Sequence, residues 1–172
     1  MKLFAIALAA GTLLVAKDIK PTPAVDPLTR EVRHELVMLP NVTVFDDLFF
    51  QVSGTTVTLT GSVTSPVLKS EALNVVKRIE GIDQVINNID VLPLSPNDDR
   101  IRFAAYRAIY GDAALSTRYG FRANPPIRII VKNGNIRLTG FVANEGDRNI
   151  AGIRANGVHG AFSVVNELKL DQ

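Results

Sequence analysis

The sequence contains no cysteine and only two histidines, His34 and His159. Without cysteine there is no disulfide framework, no thiolate zinc site, no cysteine nucleophile and no lipid-modified N-terminal cysteine. Two histidines cannot build an all-histidine zinc site. Neither charge sign is in large excess: 19 Lys and Arg stand against 17 Asp and Glu, a net charge of +2. Such a balance does not announce a nucleic-acid partner. No apolar run reaches the roughly 20 residues that span a bilayer comfortably. What is present is a 47% hydrophobic composition over 172 residues. That combination describes a packed globule, either one domain or two of roughly 75 residues each.

Met1-Lys2 is followed by an apolar run from Leu3 to Ala16, which Lys17-Asp18 stops. A charged start, a short apolar stretch and small Ala16 at its end fit a secretory signal peptide at 1–16; a buried helix or an uncleaved anchor is the competing reading. Pro21, Pro23 and Pro27 follow closely. Prolines at this density disfavour a helix and suit an extended tether at 17–26, so the folded part is expected to begin near Pro27.

From there the chain is written twice. Residues 52–93 align with 131–172 at a shift of 79 and without a gap. Leu59-Thr60-Gly61 recurs as Leu138-Thr139-Gly140, Val63 as Val142, Ala72 as Ala151, Gly81 as Gly160, Val85 as Val164 and Asn87 as Asn166. Two copies are too few for a solenoid and imply a duplicated domain. The expected boundaries are 27–92 and 97–172, joined by a proline-stiffened linker at 93–96.

Each copy carries the same order of elements. Leu28, Val32, Leu36 and Leu39 in the first, and Ile101, Ala105, Ala108 and Ile109 in the second, recur at helical spacing; Asn97 or Asp98 is a plausible cap for the second of these helices. Alternating Leu48, Phe50, Val52 and Val57, Leu59, Val63 flank the turn at Ser53-Gly54-Thr55. Ile127, Ile129, Val131 and Ile136, Leu138, Val142 flank Asn133-Gly134, a strong hairpin signal because both turn residues tolerate positive φ. A second helix at about 66–80 or 147–156 and a last strand at 85–91 or 164–170 complete an α-β-β-α-β unit. The expected fold class is α+β, with two tandem units, each a small mixed three-stranded sheet with both helices on one face.

The Val-x-Leu-Thr-Gly-x-Val strand, followed by Gly81-Ile82-x2-Val85-x-Asn87-x-Ile89-x-Val91 and its counterpart around Gly160, Val164 and Asn166, resembles the BON domain, here in a dual-BON arrangement like that of OsmY-like periplasmic proteins. The resemblance implies a non-enzymatic protein of the bacterial envelope that binds phospholipid or peripheral membrane surfaces, with no cofactor and no metal. The motif residues are strand, turn and core positions, so function must sit in what decorates them.

Charge supplies one such decoration. Residues 17–96 carry 7 basic and 10 acidic side chains, whereas residues 97–172 carry 11 and 7, nine of the 11 being Arg. Arg is suited to bidentate contacts with phosphate. In the first helix of the second copy, Phe103, Tyr106 and Tyr110 fall opposite the core stripe, beside Arg100 and Arg107. Aromatic rings at headgroup depth next to guanidinium groups suit an anionic phospholipid surface; packing against the first copy is the alternative for the same face. The long connection at 111–126 adds Arg118, Tyr119 and Arg122, with Phe121, either as a functional loop or as a plug for the core. Gly157-Val158-His159-Gly160 matches the G-x-x-G of KH-type RNA binders but lies between a helix and a strand, and reads as a helix stop. No acid–base pair or metal cluster emerges. The expected function is adsorption on anionic phospholipid headgroups in the periplasm, without a lipid anchor or nucleic-acid partner; docking on another envelope or secretion protein is the alternative.

Overall fold

The computed structural model describes residues 26–122 and 124–171. The expected signal peptide and all of the tether except Asp26 lie outside the described residues. The chain runs α1 (Pro27–Val37), β1 (Asp47–Ser53), β2 (Thr56–Val63), α2 (Pro66–Lys77), β3 (Gln84–Asn87) and β4 (Asp90–Val91). The second repeat follows as α3 (Pro96–Tyr110), a one-turn α4 (Ala113–Leu115) with a π-helical turn at Ser116–Gly120, β5 (Ile127–Lys132), β6 (Asn135–Val142), α5 (Glu145–Asn156), β7 (Ser163–Asn166) and β8 (Lys169–Leu170). β6, α5, β7 and β8 begin and end 79 residues after β2, α2, β3 and β4, as the gapless alignment requires. The fold is the expected α+β duplication.

Each repeat has one sheet, with its long second strand in the centre. β1 pairs antiparallel with β2, and β3 and β4 pair parallel with β2 further along. The second sheet repeats this with β5, β6, β7 and β8. The last strand is thus one lane broken in two, and a side chain holds the break. Asn87 donates from Nδ2 to the Lys69 carbonyl in α2 (3.0 Å) and accepts from the Ile89 amide (3.2 Å). Asn166 does the same with Arg148 in α5 (2.8 Å) and Leu168 (3.3 Å). An amide side chain both donates and accepts, so one Asn ties strand to helix while satisfying the interrupted ladder.

Both helices of each repeat cover the same face of its sheet. Val32 and Leu36 of α1 and Leu68, Ala72 and Val76 of α2 share one buried cluster with Val57, Leu59 and Val63. Ile101, Ala105 and Ile109 do so with Ile129, Ile136, Leu138, Ala151 and Ala155. Some expected helix ends move. α2 stops at Lys77, three residues short of Glu80, because the Arg78 and Ile79 amides turn back to the Val75 and Val76 carbonyls (3.3 and 3.2 Å) ahead of left-handed Gly81. The cap of α3 is Ser95, whose Oγ accepts the Asp98 amide (3.2 Å), with Pro96 in the first turn. Asp98 instead turns away from the helix: its two carboxylate oxygens accept the Asn133 and Gly134 amides (2.8 Å each) at the β5–β6 turn.

The repeats are joined by more than their linker. The Ile129 amide of edge strand β5 donates to the Val44 carbonyl (2.8 Å), and Arg128 donates to that of Thr43 (2.7 Å). Val44, from the first repeat, is buried in the core of the second. Asp46 fixes this segment from behind, accepting from Thr43 N and Oγ1 (2.8 and 2.6 Å) and from Thr64 N and Oγ1 (2.6 and 2.8 Å).

Candidate functional site

The second repeat's first helix, α3, is the element on which charge and aromatic side chains converge. Its buried stripe of Ile101, Ala105 and Ile109 repeats at every fourth residue and points the remaining faces outward. Phe103 and Tyr106 are exposed by 55% and 39%, flanked by exposed Arg100 and Arg107. Arg100 is steadied by Asn97 Oδ1 (2.6 Å). The ring of Phe45, from the segment joining the repeats, meets Phe103 edge-on at 5.5 Å between centroids and Tyr106 at 6.3 Å. The aromatic face is therefore partly an inter-repeat contact and partly open, with Phe45 behind the two exposed rings. Edge-to-face rings in this spacing range hold one another in orientation.

Tyr110 belongs to the interior. It is buried, lies 5.1 Å from the Tyr106 ring, and donates its hydroxyl to the Ile127 carbonyl (2.7 Å). Burial pushes its phenol far above the ordinary value, so it stays a neutral donor. Arg102, on the same helix, is also buried and donates to the Val131 carbonyl (2.8 Å) while pairing with Asp99. Sequence reasoning counted Arg102 only as part of the charge excess; an Arg one position from the core stripe at Ile101 was the available signal.

The long connection is docked on α5. Tyr119 is buried and donates its hydroxyl to Asp147 Oδ2 (2.6 Å), while the same oxygen of Tyr119 accepts the Ala143 amide (2.8 Å). Arg118 pairs with the other Asp147 oxygen. Asn144 caps α5 through the Asp147 amide (2.9 Å) and adds a donor to that carboxylate (3.2 Å). Burial alone would raise the Asp147 carboxyl, but the bonds from Tyr119 and Arg118 outweigh it and hold it below the usual carboxylate value. At the other end of the connection Arg154 grips Asp112 with two nitrogens (2.8 and 3.0 Å). That bond comes first among the causes that lower the Asp112 carboxyl. Arg118 and Tyr119 thus serve structure, whereas Arg122 is exposed, 5.9 Å above the Tyr119 ring. Of the eight candidates, Arg100, Phe103, Tyr106 and Arg107 form one surface, and Arg122 stands apart from it.

A buried charge between the repeats was not legible in the sequence. Asp47 lies on the sheet face away from the helices of its own repeat, yet it is 2% exposed. Its carboxylate accepts from the Ser62 amide (2.6 Å) and the Thr139 hydroxyl (3.1 Å), and pairs with Arg137 (3.2 Å). Burial raises its carboxyl above the ordinary value, although Arg137, Ser62 and Thr139 all pull it down.

The BON domain profile matches residues 25–93 and 112–172, well over half of the chain. The chain belongs to the BON domain family. That family is one of membrane-binding or envelope-associated modules. The segment between the two matches contains α3, so the helix carrying the aromatic–Arg surface lies outside both. No curated protein matches this BON chain. Among solved structures it is similar to CdsD, a structural protein of the type III secretion system of Chlamydia trachomatis, at 14% identity over 84% of this chain and 92% of that one, with a TM-score of 0.32. The C-terminal domain of CdsD is similar at 16% identity over 85% and 98%, with a TM-score of 0.30. No helix among the described residues is long and apolar enough to cross a membrane.

Proposed function

We propose that this BON protein is a non-enzymatic, exported component of the bacterial envelope that adsorbs on anionic phospholipid surfaces through α3. The observation that carries this reading is the exposure of Phe103 and Tyr106 between Arg100 and Arg107 on one helix. Basic side chains near an anionic bilayer contribute about 1 kcal/mol each, and a partly inserted ring adds apolar burial. Two guanidinium groups and one ring give weak, reversible and salt-sensitive adsorption. Phe45 braces the rings from the first repeat, which lowers the conformational cost of presenting them.

Sedimentation with anionic against neutral vesicles tests the reading. The parent chain should pellet with vesicles rich in phosphatidylglycerol at low salt and remain in solution with phosphatidylcholine alone. Arg100→Glu with Arg107→Glu should abolish pelleting while circular dichroism stays unchanged, since both side chains are exposed. The same reversal at Arg30 and Arg33 on α1 should leave binding intact. A double variant that pellets like the parent removes α3 as the surface; a parent that never pellets leaves docking on another envelope protein as the function.

A further inference from the structure

The two repeats present the same groove with opposite charge. In the first repeat a groove of about 730 Å³ opens between α1 and the C-terminal end of α2. Leu28, Val75 and Ile79 give it partly buried apolar walls, and Glu31, Glu35 and Glu80 stand around them, with Arg78 the one basic residue in its lining. Arg78 turns its Nε to the Asn74 carbonyl of its own helix (3.1 Å). Among the described residues none of the three glutamates forms an ion pair. The corresponding groove of the second repeat, about 470 Å³ between α3 and the turn after α5, is lined by Arg100 and His159 and by no acidic residue. The fold therefore does not require the acidity of the first groove.

The second repeat also carries a projection that suits this groove. Phe121 is 89% exposed, and Arg122 beside it is exposed as well. The first repeat has no counterpart to this tip, because only nine residues separate α1 from β1. The tip is held in place by Tyr119 and Arg118 on Asp147, so little conformational freedom is lost when it binds. We propose that the chain self-associates head to tail, the tip of one molecule entering the acidic groove of a second copy. Phe121 would lie between Leu28, Val75 and Ile79, with Arg122 against Glu31 and Glu35. The groove is much larger than one phenyl side chain, and the charges that meet are opposite in sign. A contact between unlike surfaces leaves the pair with one free tip and one free groove, so it propagates as a chain. One side chain and one charge cluster make a small interface, so association is weak and concentration-dependent.

Analytical ultracentrifugation of the full chain without lipid, from roughly 10 μM to 1 mM, tests this. The weight-average mass should rise with concentration at low ionic strength and fall back toward the monomer at about 0.5 M salt, where screening is strong. A tip variant, Phe121→Ala with Arg122→Ala, and a groove variant, Glu31→Arg with Glu35→Arg, should each remain monomeric, with at least a tenfold loss of association. Mixed together, they retain one intact tip and one intact groove, and should form a one-to-one dimer that grows no further. A parent that is monomeric throughout, as when the groove serves a basic peptide of another protein, overturns the proposal. So does association that neither variant weakens, or a mixture that stays monomeric.

Discussion

At the scale of single residues, the glycines that recur in the two Leu-Thr-Gly motifs stand where the backbone leaves no choice. Gly140 sits at φ 105°, and a Cβ there would meet the Pro126 carbonyl oxygen at 1.9 Å; Gly61, at φ 115°, would meet that of Asp47 at 2.2 Å. Both are backbone oxygens, which cannot swing aside, and both conformations disfavour an L side chain. Gly140→Ala should therefore cost about 2–4 kcal/mol, strain plus displacement of the β5 entry, read as a lower urea midpoint. Gly54, also left-handed but with nothing within 4 Å of a Cβ, should lose less than half as much on the same substitution. The Leu-Thr-Gly and Val-x-Asn patterns were legible because such constraints are local and act identically in both repeats. Asp98 was misassigned as a helix cap for the opposite reason: its partners, Asn133 and Gly134, lie 35 and 36 residues away, and local sequence favours the nearer role.

At the scale of elements, periodicity located the helices and hairpins, but the connection at 111–126 offered none to read. Its order comes from side chains of other elements, chiefly Asp147 on α5. Arg118 looked like a free basic group, and Tyr119 could be read either as a functional ring or as a plug for the core, because nothing in a single sequence pairs them with a carboxylate 28 or 29 residues on. The pairing has a pH signature. The Asp147 carboxyl is held below its unfolded value of 3.8, so the folded state binds fewer protons there than the unfolded one. The contribution is fully present above that value and is lost as pH falls through the lower, folded one. Hydrogen exchange corrected for intrinsic rates should show residues 113–121 protected at neutral pH and progressively opened below about pH 4. Asp147→Asn should open the same segment at neutral pH and cost about 2 kcal/mol, since Arg118 loses its charge partner. Unchanged protection in that variant would mean that Leu115 and the buried Tyr119 ring hold the segment by packing alone.

At the scale of the whole molecule, the duplication was visible from identities alone, whereas the way the copies meet was not. A sheet residue facing away from its own helices is read as solvated, and Asp47 fits that pattern until Arg137 and Thr139 of the other repeat cover it. The charge has left water, and its raised carboxyl value shows that burial is not fully offset. Removing the two partners should therefore have unequal effects. Asp47→Asn deletes the desolvated charge and leaves Arg137, one-third exposed, with Glu167 at 3.6 Å as a second partner. Arg137→Ala instead strands the carboxylate between the repeats, at a cost of about 2–3 kcal/mol at pH 7, reduced from the fully buried case by the exposure of the guanidinium. The sign with pH follows from the same residue. Without Arg137 the folded value of Asp47 rises further above 3.8, so the folded state holds its proton over a wider range and loses stability as pH climbs through that value. The gap in urea midpoint between Arg137→Ala and the parent should be wide at pH 7 and narrow near pH 4, while Asp47→Asn should show a smaller difference that moves in the variant's favour as pH rises past 3.8, because only the parent carries the raised carboxyl. If the buried charge is what couples the repeats, small-angle scattering of Arg137→Ala at pH 7 should also give a larger radius of gyration, which shrinks on acidification as the proton returns. A gap that stays constant across pH would place the coupling instead in Val44 and the Ile129–Val44 backbone bond, neither of which titrates.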